Sequence, residues 1–240
     1  MHFDLLGFGP QGYGNSLASG LFLTVSLAVT SYLFSLVLGV ILGFVARSSQ
    51  RWVKLCWKPY SSLMTGIPSL LVIFFIYYNL PILLRGVLGF QVTVSPLTAG
   101  IVALALVYAT YIAEVVRGAI TNIPSGQIDA SRALGLRTLS IWRLIILPQV
   151  WRLAFPGLVN LWLVLLKDTA LVSLVGLNDI VRVSNVATGN TGEAFLFFAV
   201  TGLAYVVCAS CSIALARRIE RRINIGVVAP VRGRRLVSVR

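Results

Sequence analysis

The chain of 240 residues is 58% hydrophobic and only 11% charged, yet carries a formal net charge of +13; soluble domains hold roughly 25% charged residues. A mean hydropathy of +0.90 with a pI near 10.5 excludes an ordinary soluble domain. It leaves two homes for the excess cations, a nucleic-acid-binding face or one side of a membrane protein.

Crossing a bilayer takes about 20 mainly apolar residues, and the apolar runs meet that length. Met1 to Ser16 is glycine-rich and holds no Lys or Arg, so it lacks the basic start of a signal peptide and reads as a short outer arm. Leu17 to Ala46 is a first span, free of charge. Its Gly39 and Gly43 form a GxxxG that serves either packing inside the bundle or a dimer seam. Pro59 to Leu84 is a second run. Pro68 removes a backbone donor and crowds the Met64 carbonyl, so a kink or break is predicted around Gly66 and Pro68. Gln91 to Ala113 is a third span; Glu114 and Arg117, three apart at its end, can pair.

The fourth span, Leu153 to Leu166, extends backwards through Ile141 to Trp151. Lys167-Asp168-Thr169 then interrupts the apolar pattern, and a charge at bilayer depth is costly unless satisfied. Either Ala170 to Leu177 dips in from the outer side as a short segment, or span four ends at Leu166. Ala194 to Ala216 is the fifth span. Its Cys208 and Cys211 make a CxxC with no further ligand nearby and read as packing residues. The one histidine, His2, leaves His-based catalysis or metal binding without a donor set.

Lys and Arg near span ends stay cytoplasmic, and alternate loops hold seventeen of the twenty cations against three. The expected topology puts the N-terminus outside and the C-terminus inside. The fold class is all-α: a polytopic bundle of about five transmembrane helices, with residues 1–15 as outer arm, 16–218 as membrane domain, 118–140 as an inner loop and 219–240 as a basic tail. Arg217 to Arg222 suit anionic lipid headgroups better than nucleic acid.

The inner loop is the longest polar stretch. A turn at Ile123 to Gly126 leads into a short helix, Gln127 to Leu134. Ser125 is expected to cap its start, Asp129 lies near its positive end, and Gly135 suits the left-handed position that stops it. Thr138 or Ser140 can cap the next helix, which runs to Pro148. Small residues at Ala130, Ser131, Ala133 and Gly135 would let a second protein surface approach. No Gly-x-x-x-x-Gly-Lys-Ser/Thr phosphate loop occurs.

Asp129-Ala130-Ser131, then Gly135, then Ile145-Ile146-Leu147-Pro148 resemble the cytoplasmic signature of binding-protein-dependent ABC importer permeases. That signature is EAA, three residues, Gly, nine residues, I-x-L-P, and both intervals match. Asp129 replaces Glu and Ser131 replaces Ala. Tyr111 to Gly118, Lys167 to Ser173, Gly66-Ile67-Pro68 with Tyr77-Tyr78, and Gly20-Leu21-x-x-Thr24 extend the resemblance to the polar amino-acid branch. Only Val227 to Arg240 falls outside it. Phe8-Gly9-x-x-Gly12, Thr169 to Leu177 and Glu220-Arg221-Arg222 are similar to permeases for histidine, lysine and arginine and for opines.

The resemblance implies a type I ABC importer permease fold. It also implies two ATPase subunits, a second permease subunit, similar or identical, and a periplasmic amino-acid-binding protein, in a bacterial inner membrane. ATP and Mg would be bound by the ATPase, and this chain would hold no cofactor. For Arg232 to Arg240 disorder, lipid and the ATPase stay open alternatives. Asp129, Ala130, Ser131, Ala133, Gly135, Leu147 and Pro148 become candidate coupling residues; Glu114, Lys167, Asp168 and Thr169 become candidate pathway residues. A cationic substrate would want an acid, and Glu114, Asp168 and Asp179 are the acids at hand. The rival readings are a passive channel or scaffolding subunit, and an intramembrane enzyme, which would need convergent catalytic groups.

Overall fold

A computed structural model describes residues 3–9, 12–46, 50–89 and 93–223. The features expected at Arg47, at Gln91 and in residues 224–240 lie outside them. The described residues build a short 3₁₀ helix at Phe3–Leu6 and eight longer helices: α1 (Gly14–Ala46), α2 (Arg51–Gly66), α3 (Ser69–Val87), α4 (Pro96–Thr121), α5 (Ser125–Ala133), α6 (Thr138–Val175), α7 (Ile180–Thr191) and α8 (Ala194–Ile223). Five of them, α1, α3, α4, α6 and α8, are long and apolar enough to cross a membrane.

The centre of the bundle is the seam between α1 and α4. Along α1, Gly20, Thr24, Leu27, Ser31, Ser35, Gly39 and Gly43 are buried at steps of three and four, so they lie on one face. Ala99, Ala103, Ala109 and Ala113 are buried on α4. Small residues on both sides let two backbones approach, which is how membrane helices gain packing without a hydrophobic driving force between them. A Cβ on Gly39 would sit 2.6 Å from the Ile112 side chain, and one on Gly43 2.9 Å from Val116. The GxxxG is therefore used inside this chain.

The expected second span is divided. Ile67 and Pro68 adopt extended backbone (ψ 131° and 136°) between α2 and α3, because a residue before proline avoids the helical region. Trp57 of α2 donates to Glu114 Oε1 at 3.3 Å, while Ser69, the first residue of α3, reaches the side chain that also holds Tyr108. Tyr108 lies midway along α4, about 9 Å of helix rise from Glu114. The break thus sits at the depth of the middle of α4. Pro59 to Gly66 belongs to α2, and the crossing-length helix starts at Ser69.

Two prolines are absorbed rather than obeyed. The expected stop at Pro148 does not occur: α6 passes through it by way of a π turn over Trp142–Ile146, with Leu147 N–H donating to Trp142 O five residues back. The same device, Phe75–Asn79 followed by Leu80 N–H to Phe75 O, precedes Pro81 in α3. Widening the turn moves a carbonyl away from the proline ring and leaves no orphan donor. Nor do the charges at 167 and 168 end α6. It tightens to a 3₁₀ turn over Thr169–Val175 and stops at Gly176, whose φ is +97°. Val172 and Thr169 are fully buried there; the α-helical part ends at Asp168, two residues past Leu166, and Thr169–Val175 follows it directly as the 3₁₀ turn.

Candidate coupling surface and membrane junction

Helix α5 stands out at the cation-rich end of the bundle. Pro124, not Ser125, occupies its N-cap, and Ser125 is its first residue without a side-chain cap bond; proline's fixed φ already presets the turn. Its far end follows the expectation. Gly135 has φ +77°. Leu136 N–H donates to Ser131 O at 3.1 Å and Gly135 N–H to Arg132 O at 2.9 Å, the paired bonds that close a helix at a left-handed glycine.

The candidate residues here split into two groups. Asp129, Ala130, Ala133 and Gly135 are exposed, and Asp129 pairs with Arg132 at 3.3 Å. Ser131 points the other way: it is buried and its hydroxyl donates to the Gln127 carbonyl. It fastens the helix rather than presenting a contact. Ile128 and Leu136 pack beside Ile120, Ile123 and Ile141, and Gln149 Nε2 donates to Gln127 Oε1 at 2.8 Å. These ties root α5 on α4 and α6. Leu147 and Pro148 are exposed, and Pro148 lines a groove of about 780 Å³ of mixed polarity with Gln127, Leu144, Gln149 and Arg152.

Sequence reasoning missed the apolar part of this surface. Leu134 is 81% exposed, and Leu139 and Leu144 are exposed beside it. Exposed leucines at a helix end facing water signal a partner; periodicity alone does not separate them from core leucines.

The second site is a junction in the bundle's middle. Asp168 Oδ2 accepts from Ser69 Oγ at 3.1 Å and from Tyr108 OH at 2.9 Å. One carboxylate therefore links the break after Pro68, the centre of α4 and the end of α6. Thr169, next along, donates to Leu166 O and lies 3.4 Å from Tyr205 OH of α8. Lys167 is exposed, and so is Asn160 seven residues earlier on the same face of α6. Exposed polar groups at membrane depth meet water or protein, not lipid. Gly66 and Pro68 flank the break itself. Glu114 is not part of this junction: it pairs with Arg117 at 2.6 Å and accepts from Trp57, nearer the cation-rich end. Ser69 and Tyr108 were not foreseen; the only sequence signal was a serine directly after the predicted break.

Asp179 lies apart from both sites. It is fully buried, caps α7 by accepting from Arg182 N at 2.9 Å, and burial pushes its carboxyl up to about 6. The helix α7 that it starts was not foreseen. Ile180 N–H donates to Thr24 Oγ1 at 3.2 Å, which docks α7 on α1.

Known proteins are similar to this chain over most of its length. The chain is 36% identical over 220 residues to the histidine/lysine/arginine/ornithine transport system permease protein HisQ of Escherichia coli (strain K12), covering 90% of this chain and 96% of that one. It is 32% identical to the nopaline transport system permease protein NocQ of Agrobacterium fabrum (strain C58 / ATCC 33970), over 95% and 99% of the two chains. Among solved structures, the crystal structure of an amino acid ABC transporter with histidines superposes with a TM-score of 0.77 at 28% identity, covering 88% and 95%. The fold is that of type I ABC importer permeases, and such chains are transport components, not enzymes. Residues 16–225 match the family model of the binding-protein-dependent transport system inner membrane component, and the chain belongs to that family as a multi-pass permease of the inner membrane.

Proposed function

We propose that this permease subunit carries polar, cationic amino acids or opines across the membrane, and that α5 is where cytoplasmic ATPase subunits grip it. The observation that carries the coupling role is the build of α5. It is exposed on its outer face and closed by its own left-handed glycine. Side chains from two spans root it, so a push on it reaches α4 and α6. Asp129, Ala130, Ala133, Gly135, Leu147 and Pro148 form the contact, with Ser131 holding the helix in shape. Two ATPase chains bind ATP and Mg, and a second permease subunit, similar or identical, completes the pathway. A periplasmic amino-acid-binding protein delivers the substrate.

The cation count sets the orientation: residues 1–15 outside, the membrane domain over 16–218, the loop 118–140 and the tail from 219 inside. The pathway runs past the Asp168 junction, where the acid, the break at Gly66 to Pro68 and the exposed Lys167 face of α6 meet. Thr169 lies against this junction, and Glu114 faces the same route nearer the inner end. The substrate class rests on the named relatives together with this acid. A passive channel would have no use for a rooted docking helix.

The test is uptake of labelled arginine by vesicles holding the complete transporter. Gly135→Asp puts a Cβ into a left-handed turn, at about 1 kcal/mol, and re-aims α5. It should leave membrane insertion intact and lower ATP-driven uptake at least tenfold, with weaker co-purification of the ATPase. Normal uptake by an inserted Gly135→Asp chain would overturn the coupling role.

A further inference from the structure

The face of α6 opposite Asn160 and Lys167 carries a different surface. Trp151, Phe155, Leu158 and Trp162 recur at steps of three and four, so they share one stripe. Asn160 is two residues, about 200° of helix turn, from both Leu158 and Trp162. This stripe is the floor of an apolar groove of about 290 Å³, walled by Leu36 of α1 and by Leu215 and Ile219 of α8. The two hydroxyls in its lining are already engaged: Tyr32 donates to Leu158 O at 2.7 Å and Ser212 to Cys208 O at 2.8 Å. The trough's remaining side-chain donors are the indole N–H groups of Trp151 and Trp162.

The groove opens into a second hollow of about 210 Å³ that shares Phe155, Val159 and Ala216 with it and is lined at its mouth by Arg217 and Glu220. Arg221 follows one turn after Arg217 on the same face, and both are exposed. With Glu220 between them the mouth keeps one net positive charge, and the trough is apolar. The polar face of α6 points the other way, and α8 turns Leu203, Val206 and Leu215 outward, which suits this side of the bundle to the bilayer.

We propose that the groove between α1, α6 and α8 is a binding site for one anionic phospholipid, its acyl chain in the aromatic trough and its phosphate at Arg217. In the orientation proposed above, this is a lipid of the cytoplasmic leaflet. Basic pockets between membrane helices capture acidic headgroups through charge, and the trough adds a chain-length stretch of apolar contact. The site is separate from the docking helix and from the Asp168 junction.

Native mass spectrometry of the purified full chain tests it, using phosphatidylglycerol and phosphatidylcholine with identical acyl chains as probes. The chain should retain phosphatidylglycerol in preference to phosphatidylcholine. Arg217→Gln removes one charge, worth about fivefold, and together with Arg221→Gln should lower that retention about twenty-five-fold. Ala216→Trp fills the trough, leaves every cation in place, and should lower retention of both lipids. Arg218→Gln, one residue off the mouth, should change little. Equal retention of the two lipids overturns the proposal. So does full retention by Ala216→Trp, or a loss in Arg218→Gln as large as that from Arg217→Gln, which would reduce the effect to general surface charge.

Discussion

Helices α4 and α8 are nearly indistinguishable by hydropathy, 2.0 against 2.1, yet 67% of the α4 window is buried inside the protein and only 17% of the α8 window. The two numbers answer different questions. Hydropathy reports that both helices tolerate a bilayer. Burial reports who stands beside them, and that is written in side-chain size. The buried positions of α4 include Ala99, Gly100, Ala103, Ala109 and Ala113, whereas α8 presents Phe195, Leu203, Val206 and Leu215 outward. Small residues mark the helix that others pack against; large ones mark the helix facing lipid or a partner.

The same substitution placed on each side of that contrast should give opposite results. Gly39→Leu drives a branched side chain into Ile112 and the Ala109 carbonyl, 2.6 and 2.8 Å from the new Cβ. Overpacking a close-packed core costs typically about 1–3 kcal/mol and occasionally more, so the detergent-solubilised chain should lose thermal stability sharply or fail to accumulate. Gly202→Leu on α8 meets no atom within 4 Å and should leave the melting temperature within a degree or two of the parent, by the small effects typical of exposed sites. Equal damage from both would break the contrast.

Polar burial sharpens it. Asp179 is buried without a partner for Oδ2 among the described residues, and its carboxyl is raised from 3.8 to about 6. Burial is the cause, only partly offset by N–H groups from the start of α7. The nearest cation, Arg182, turns its Nε to Asn178 Oδ1. A folded-state value above the unfolded one means the folded chain holds the proton longer. The stability that protonation gives is complete below pH 4 and lost as pH rises through 6, on the order of 3 kcal/mol. Asn keeps the cap without a charge, so the stability of Asp179→Asn relative to the parent should rise between pH 4 and 7. A constant difference across that range would show that burial does not govern this carboxyl.

Tyr108 asks how much one hydrogen bond on the buried helix is worth. Tyr108→Phe removes the 2.9 Å donor to Asp168 and leaves Ser69 as its remaining partner. Bonds to carboxylates contribute about 1.5–3 kcal/mol. A loss of about 2 kcal/mol by thermal unfolding, with reduced arginine uptake, is expected. An unchanged melting temperature would mean the junction does not brace the bundle.

Much of this was legible in the chain itself. Five apolar runs, a break at Pro68, the glycine stop at Gly135 and the spacing from Asp129 to Pro148 all depend on local chemistry, and each is found. What failed depended on neighbours. Pro148 reads as a stop because sequence shows the lost donor, not the π turn that absorbs it. Lys167-Asp168 reads as an interruption because the hydroxyls that satisfy Asp168 come from residues 69 and 108, far away along the chain. Helix α7 escaped notice because its mixed residues carry no clean period, although Asp179 before it and Gly192 after it were the caps to look for. The third span reads as ending at Ala113, yet α4 runs on to Thr121, because the expected pair of Glu114 and Arg117 lies along the helix and not beyond it.

The smallest expected effect lies at the opposite pole from Tyr108. Asp129 and Arg132 pair at 3.3 Å with both side chains about two-thirds exposed, and such pairs on a helix surface are worth roughly 0.3–0.5 kcal/mol. Asp129→Ala should therefore leave thermal stability within about 0.5 kcal/mol of the parent. Uptake by the complete transporter should still fall severalfold, because an exposed acid on a rooted docking helix does its work on the surface it meets. Tyr108→Phe harms fold and transport together; Asp129→Ala should harm transport alone. If Asp129→Ala instead unfolds the chain, α5 is a structural strut. If it changes neither property, the contact rests on Ala130, Ala133 and the exposed Leu134, and the acid is only a solvated helix charge.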